Sequence, residues 1–137
     1  MLANELHCTV LMLEYRGYGL STGNPTEKGL VIDAQTGLDY LRSREDLKGN
    51  GIVVYGQSIG GAVATDLVSK NQAQSDIKAL VLENTFLSIA KMIPSVMPAA
   101  RVLTPLCHEY WRSEKMIPLI TEVPILLLSG LQDEIVP

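Results

Sequence analysis

"VVYGQSIGGAVATDL" spans residues 53–67 and sets Ser58 between Gly56 and Gly60. Ile52, Val53, Val54 and Tyr55 lead into the first glycine and read as a buried strand. Residues 61–68, "GAVATDLV", read as a helix with small residues on its first turn. The letters G-x-S-x-G arise by chance in about one chain in twenty of this length, so an ordinary Gly-Ser turn is the competing reading. The context decides between them, because strand, turn and helix in that order are what a nucleophile elbow requires. There the serine backbone is strained by about 1–3 kcal/mol, and the strain aims its hydroxyl off the end of the sheet. Gly56 and Gly60 lack a Cβ and are expected to let strand and helix approach. The helix start offers the Ile59 N–H and a partial positive charge to a developing oxyanion. Gln57 and Ile59 flank Ser58 and are the candidate substrate- and oxyanion-binding residues.

Working outward, Thr9–Leu13 is a continuous apolar run and predicts a buried parallel strand. It leads into the glycine-punctuated "EYRGYG" loop, residues 14–19. A helix start follows, with Asn24 expected as N-cap, Pro25 at the first helical position and Glu27 three residues after the cap. Leu30, Ala34, Leu38 and Leu41 then give one apolar face at helical spacing. Beyond the elbow, residues 77–82, "IKALVL", and 124–128, "PILLL", predict two more strands. Strands alternating with helices imply βαβ units and a mainly parallel sheet, an α/β fold in one domain over residues 1–137. Residues 87–119 are rich in Met and Pro and hold Trp111. They read either as packed helices or as a small helical cap with an adaptable apolar underside.

Ser58 needs a base, and the base needs an orienting carboxylate. In elbow enzymes the order along the chain is Ser, then Asp or Glu, then His. Asp133 follows the 124–128 strand at the carboxyl end, where α/β sheets place their chemistry, and is the candidate acid. Glu134 and Glu83 are the alternatives, and an Asp133 engaged only in a local turn is the structural one. The histidines are His7 and His108, and both precede Asp133. Losing such a histidine costs about 10⁶-fold in kcat in a well-studied serine protease, or about 8 kcal/mol of barrier.

The bulk composition narrows the alternatives. With 137 residues and 47% hydrophobic content the chain can bury a core. A net charge of −4 gives no basic footprint for nucleic acid. Cys8 and Cys107 read as small buried residues, outside any metal-binding spacing. No metal or organic cofactor is implied. No apolar run approaches the ~20 residues of a membrane span, and the opening residues do not follow a signal-peptide pattern.

Several segments then occur together in one order: residues 13–41 from "LEYRGYG" onward, "VVYGQSIGGAVA", "LENTFLSI" and "PILLLSGLQDEIVP". Together they resemble the α/β-hydrolase superfamily, and within it the bud-emergence (Bem) type of membrane-anchored hydrolases of fungi, with plant and animal relatives. "EYRGYG", "ENTF" and the pattern Trp111-x-Ser113-x-Lys115 narrow the resemblance beyond the elbow. It implies Ser58 as nucleophile, Asp133 as triad acid and Ile59 as an oxyanion N–H donor. It also places the family's triad histidine after Pro137, and its first oxyanion loop, third strand and membrane anchor before Met1. The expected fold is therefore part of an α/β-hydrolase domain, with a strand slot between Thr9–Leu13 and Ile52–Tyr55.

The implied activity is hydrolysis of a carboxylic ester or thioester through an acyl-Ser58 intermediate. A small-molecule or acyl-protein ester is the expected substrate, and membrane association is expected where the anchor is present. The chain on its own is expected to be inactive for want of the histidine and one oxyanion loop. The rival reading is a non-catalytic protein acting through a protein partner.

Overall fold

The computed structural model describes Glu5, His7–Phe86, Trp111 and Ser113–Gly130. Helix α1 spans Glu27–Ser43. Its N-cap is Thr26, whose hydroxyl accepts from the Gly29 amide at 3.1 Å, and not Asn24 as the sequence suggested. A proline favours an extended conformation in the residue before it, which is what an N-cap needs, so Pro25 does not account for the shift. Thr26 is extended, and its side chain is the one that reaches the first turn. Leu30, Ala34 and Leu38 are buried on the face foreseen for them.

Strand β1 spans Ile52–Gln57, helix α2 Ile59–Asn71 and strand β2 Ile77–Glu83. A short helix α3, Ser113–Met116, leads through a 3-10 turn at Ile117–Leu119 to strand β3, Ile125–Leu128. The sheet among the described residues is parallel in the order β1-β2-β3. Register pairs Tyr55 with Val81 and Val81 with Leu126, and Gln57 with Glu83 and Glu83 with Leu128. Leu80 and Leu82 of β2 join Val63, Leu67 and Val68 of α2 and Leu30 and Leu38 of α1 in one core. Burial of such side chains, at about 1.5–3 kcal/mol each, is what fixes α2 against the sheet.

A polar network closes the opposite end of these elements. The Arg42 guanidinium donates to both Asp76 carboxylate oxygens, at 2.6 and 2.9 Å, and to Asn71 Oδ1 at 2.9 Å. Asn71 Nδ2 in turn donates to Gln35 Oε1 at 2.8 Å. The end of α1, the end of α2 and the start of β2 are thereby joined.

Thr9–Leu13 departs from expectation, because it forms no strand. A Cβ on Gly37 of α1 would stand 3.5 Å from Leu13 Cδ2 and 3.9 Å from Leu11 Cδ2, while Met12 between them is 89% exposed. Leu11 and Leu13 lean on α1 yet stay exposed, as does Val10, so the run is neither paired nor buried as expected. A strand exists by hydrogen-bonding to a neighbour, and among the described residues nothing pairs with this run. It does not close onto β1 either, and Val53 and Tyr55 of β1 stay exposed. Of residues 87–119, the expected cap, only Trp111, α3 and the 3-10 turn fall within the described residues; Met92, Met97 and Cys107 lie outside them.

Candidate active site

β1 ends at Gln57 and α2 begins at Ile59, so the whole reversal rests on Ser58. Its backbone takes φ 52° and ψ −121°, a region sparsely populated by any residue with a Cβ. Three hydrogen bonds hold it there. The Ser58 amide donates to the Glu83 carbonyl at 3.1 Å, and the Ser58 carbonyl accepts from the Gly61 amide at 3.0 Å and from Thr85 Oγ1 at 3.0 Å.

Close approach explains two glycines here, and they are Gly56 and Gly61. A Cβ on Gly56 would lie 2.6 Å from the Gly60 carbonyl carbon and 2.7 Å from Gly61 Cα. A Cβ on Gly61 would lie 2.6 Å from Thr85 Cβ. Gly60, expected to serve the same purpose, faces open space. The reason is geometric: α2 leaves the elbow with Gly61 turned toward β2 and Gly60 turned away.

Ser58 also occupies the N-cap position of α2. A serine there ordinarily caps its helix by accepting from an N–H of the first turn. This one makes no such bond, and no other side chain caps the helix. The hydroxyl has no partner among the described residues and the residue is exposed. The uncapped helix start leaves its first-turn N–H groups without a side-chain acceptor from Ser58 and its partial positive charge uncompensated. Gln57 is exposed beside it.

Glu83, the alternative acid, reaches the site through its backbone. Its carbonyl holds the Ser58 amide, while its carboxylate accepts from the Tyr55 hydroxyl. That bond to the carboxylate pushes the Tyr55 hydroxyl above its ordinary value, with burial adding to the effect. Asp133, Glu134 and His108 lie outside the described residues. The chain leading to Asp133 is seen as far as Gly130, whose amide donates to Asn84 Oδ1 at 3.0 Å. Because the sheet is parallel, β3 ends on the same side as the elbow.

From the sequence, "ENTF" served only to narrow the resemblance, and Asn84 and Thr85 were given no role at the site. The signal for one was available in "ENTF" directly after a strand, since Asn is the non-glycine residue most at ease with positive φ, and Asn84 takes φ 43°. Among the described residues no group of three His, Cys, Asp or Glu side chains could hold a metal ion. A pocket of about 380 Å³ lies along α2, lined by Glu27, Ala62, Asp66, Trp111 and Ser113 among others; Ser58 is not in its wall. No helix among the described residues is long and apolar enough to cross a membrane.

A strained serine between strand and helix, at the carboxyl end of a parallel sheet, defines an α/β-hydrolase fold. The sequence profile described as "Serine aminopeptidase, S33" matches residues 4–120, and the chain belongs to that α/β-hydrolase family. It is 52% identical to protein bem46 of Schizosaccharomyces pombe, covering 98% of this chain and 44% of that protein. It is 45% identical to the uncharacterized membrane protein YNL320W of Saccharomyces cerevisiae, over 94% of this chain and 45% of the relative. Its structure resembles the crystal structure of an alpha-beta hydrolase from Vibrio vulnificus, with TM-score 0.76 and 29% identity, over 88% of this chain and 46% of that one. The chain thus spans less than half the length of these relatives.

Proposed function

We propose that this chain carries the nucleophile of a serine hydrolase acting on a carboxylic ester or thioester. The observation that carries the reading is that Ser58 sits at the N-cap of α2 without capping it, at φ 52°. That conformation costs energy and gains the helix nothing. It suits a hydroxyl presented to a substrate.

In this reading Ser58 Oγ attacks the acyl carbonyl while a histidine base takes its proton. Asp133 orients that histidine, and the base comes from outside the described residues. The carbonyl oxygen, now carrying the negative charge, is held by the Ile59 N–H and the positive end of α2. Collapse of the tetrahedral intermediate breaks the bond to the alcohol or thiol, which leaves with the proton from the histidine. Water, deprotonated by the same base, then releases the acid and restores Ser58. Gln57 lines the approach. The substrate is a small-molecule or acyl-protein ester, and the reaction uses no metal or organic cofactor.

The test is labelling by a fluorophosphonate, which reacts only with an activated serine. The protein expressed from its own gene, with whatever residues flank this chain there, is expected to label at Ser58. Ser58→Ala should abolish the label, and Asp133→Asn should slow it at least about 10³-fold, judged by related triads. No label on that protein would reject the hydrolase reading and leave a non-catalytic role through a protein partner.

A further inference from the structure

We propose that Asn84 and Thr85 are positioning residues that couple the nucleophile elbow to the segment leading to Asp133. This rests on reading Ser58 as nucleophile and Asp133 as acid. The paired register of β2 with its neighbours stops at Glu83, which pairs with Gln57 on one side and Leu128 on the other. Past that point the main chain ties the elbow to β2 through the Ser58 amide on the Glu83 carbonyl, and the ladder gives no bond between the elbow and the chain leaving β3. The two residues after β2 bridge both.

Asn84 serves the β3 side. Its amide donates to the Leu128 carbonyl at 2.9 Å, and its Oδ1 accepts from the Gly130 amide at 3.0 Å. The backbone on both sides of Ser129 is therefore held by Asn84, and Gly130 lies three positions before Asp133. Thr85 serves the elbow side. Its hydroxyl donates to the Ser58 carbonyl at 3.0 Å, and its Cβ fills the space that a Gly61 side chain would need. The positive φ of Asn84, 43°, is what turns the chain from the β3 side back onto the elbow.

The bonds from the Asn84 and Thr85 side chains are exposed, so they add little to global stability. Their effect falls on position. A misplacement of about 1 Å between reacting groups can cost about 10²-fold in rate. Asn84 and Thr85 touch no reacting atom, and their role runs through the backbone of Ser58 and Gly130.

Four variants separate this from a general loss of fold. Asn84→Gly accepts the same φ and removes only the Oδ1 acceptor. Asn84→Asp keeps the acceptor and the turn. Thr85→Val keeps the shape and removes the donor, and Thr85→Ser keeps the donor. Two readouts are taken on each: the fluorophosphonate labelling rate as a function of reagent concentration, and amide hydrogen exchange at Ser58 and Gly130. Asn84→Gly and Thr85→Val should lower the maximal labelling rate about tenfold or more. The half-saturating concentration should change little, and the Asp and Ser variants should keep most of the rate. Asn84→Gly should raise exchange at Gly130 and Ser58 together.

Unchanged labelling in Asn84→Gly, or faster exchange at Gly130 alone, would overturn the coupling. If the wild-type protein fails to label, the hydrolase reading falls. The exchange measurement then still decides whether the two segments are coupled.

Discussion

The Ser58 amide donates to the Glu83 carbonyl at 3.1 Å, one residue past the pair that Gln57 and Glu83 make in the sheet. The neighbouring strand thus holds the residue that carries the strain. Without that anchor, Ser58 could relax toward negative φ and cap its own helix, with its hydroxyl turned inward.

Relief of the strain should therefore stabilise the protein while removing its chemistry. Ser58→Gly lets the residue keep φ 52° without a Cβ. The expected gain is about 1 kcal/mol, the strain released less the extra freedom of glycine in the unfolded chain. Urea unfolding measures the gain, and fluorophosphonate labelling should vanish. A destabilised Ser58→Gly would mean that the serine side chain supports the fold.

The three glycines of the elbow should respond in a definite order to alanine. Gly56→Ala places a Cβ against backbone at Gly60 and Gly61, which cannot yield without moving α2. It should cost at least about 3 kcal/mol, the upper end for overpacking. Gly61→Ala meets Thr85 at its Cβ, which yields only if the backbone just beyond β2 moves, and should cost about 2–3 kcal/mol. Gly60→Ala meets nothing and removes a poor helix former, so it should gain up to about 1 kcal/mol. Equal costs at Gly56 and Gly60 would contradict the packing.

Capping provides a third expectation. Thr26→Ala loses the bond from the Gly29 amide and should cost about 1 kcal/mol, whereas Asn24→Ala should fall within about 0.5 kcal/mol of wild type. The helical content and urea midpoint of the two variants check it.

How far the sequence could be read follows from the kind of interaction at each place. β1, α2, β2 and β3 were legible because their patterns are local, with β-branched runs, a glycine-flanked serine and small residues on a helix face. The cap of α1 was displaced by two residues, since Asn24 and Thr26 are both capping types with an extended backbone to offer, and only the bond from the Gly29 amide to Thr26 separates them. Thr9–Leu13 has the composition of a strand, yet a ladder is a property of two segments and no single run declares its partner. The assignment of close approach to Gly60 rather than Gly61 failed for a similar reason. Which glycine faces Thr85 depends on where β2 ends relative to α2, some twenty residues away. The holding role of Asn84 and Thr85 was invisible for the same cause, as their partners lie on β3 and on the elbow.

Acid should weaken the protein through two separate charged pairs, Arg42–Asp76 in the polar network and Arg16–Asp33 near the start of α1. Two bonds from Arg42 hold the Asp76 carboxyl below its usual range, and Arg16 does the same for Asp33. In the unfolded chain these carboxyls titrate near about 3.9. Their folded values lie lower, so between the two the unfolded state binds more protons and stability rises with pH. The contribution is complete above the unfolded value and is lost as the pH falls through the depressed folded values. Asp76→Asn removes the Asp76 share. At pH 7 the variant should therefore unfold at a lower urea concentration than wild type. As the pH is lowered through the unfolded value toward the depressed folded one, the two midpoints should converge, because protonation of the wild-type carboxyl progressively removes the charge that the variant lacks. Asp33 remains in the variant and should leave it some acid sensitivity of its own. A gap between the midpoints that stays constant from pH 7 to pH 2 would show that Asp76 acts through shape or hydrogen bonding alone, and that its charge on Arg42 adds nothing.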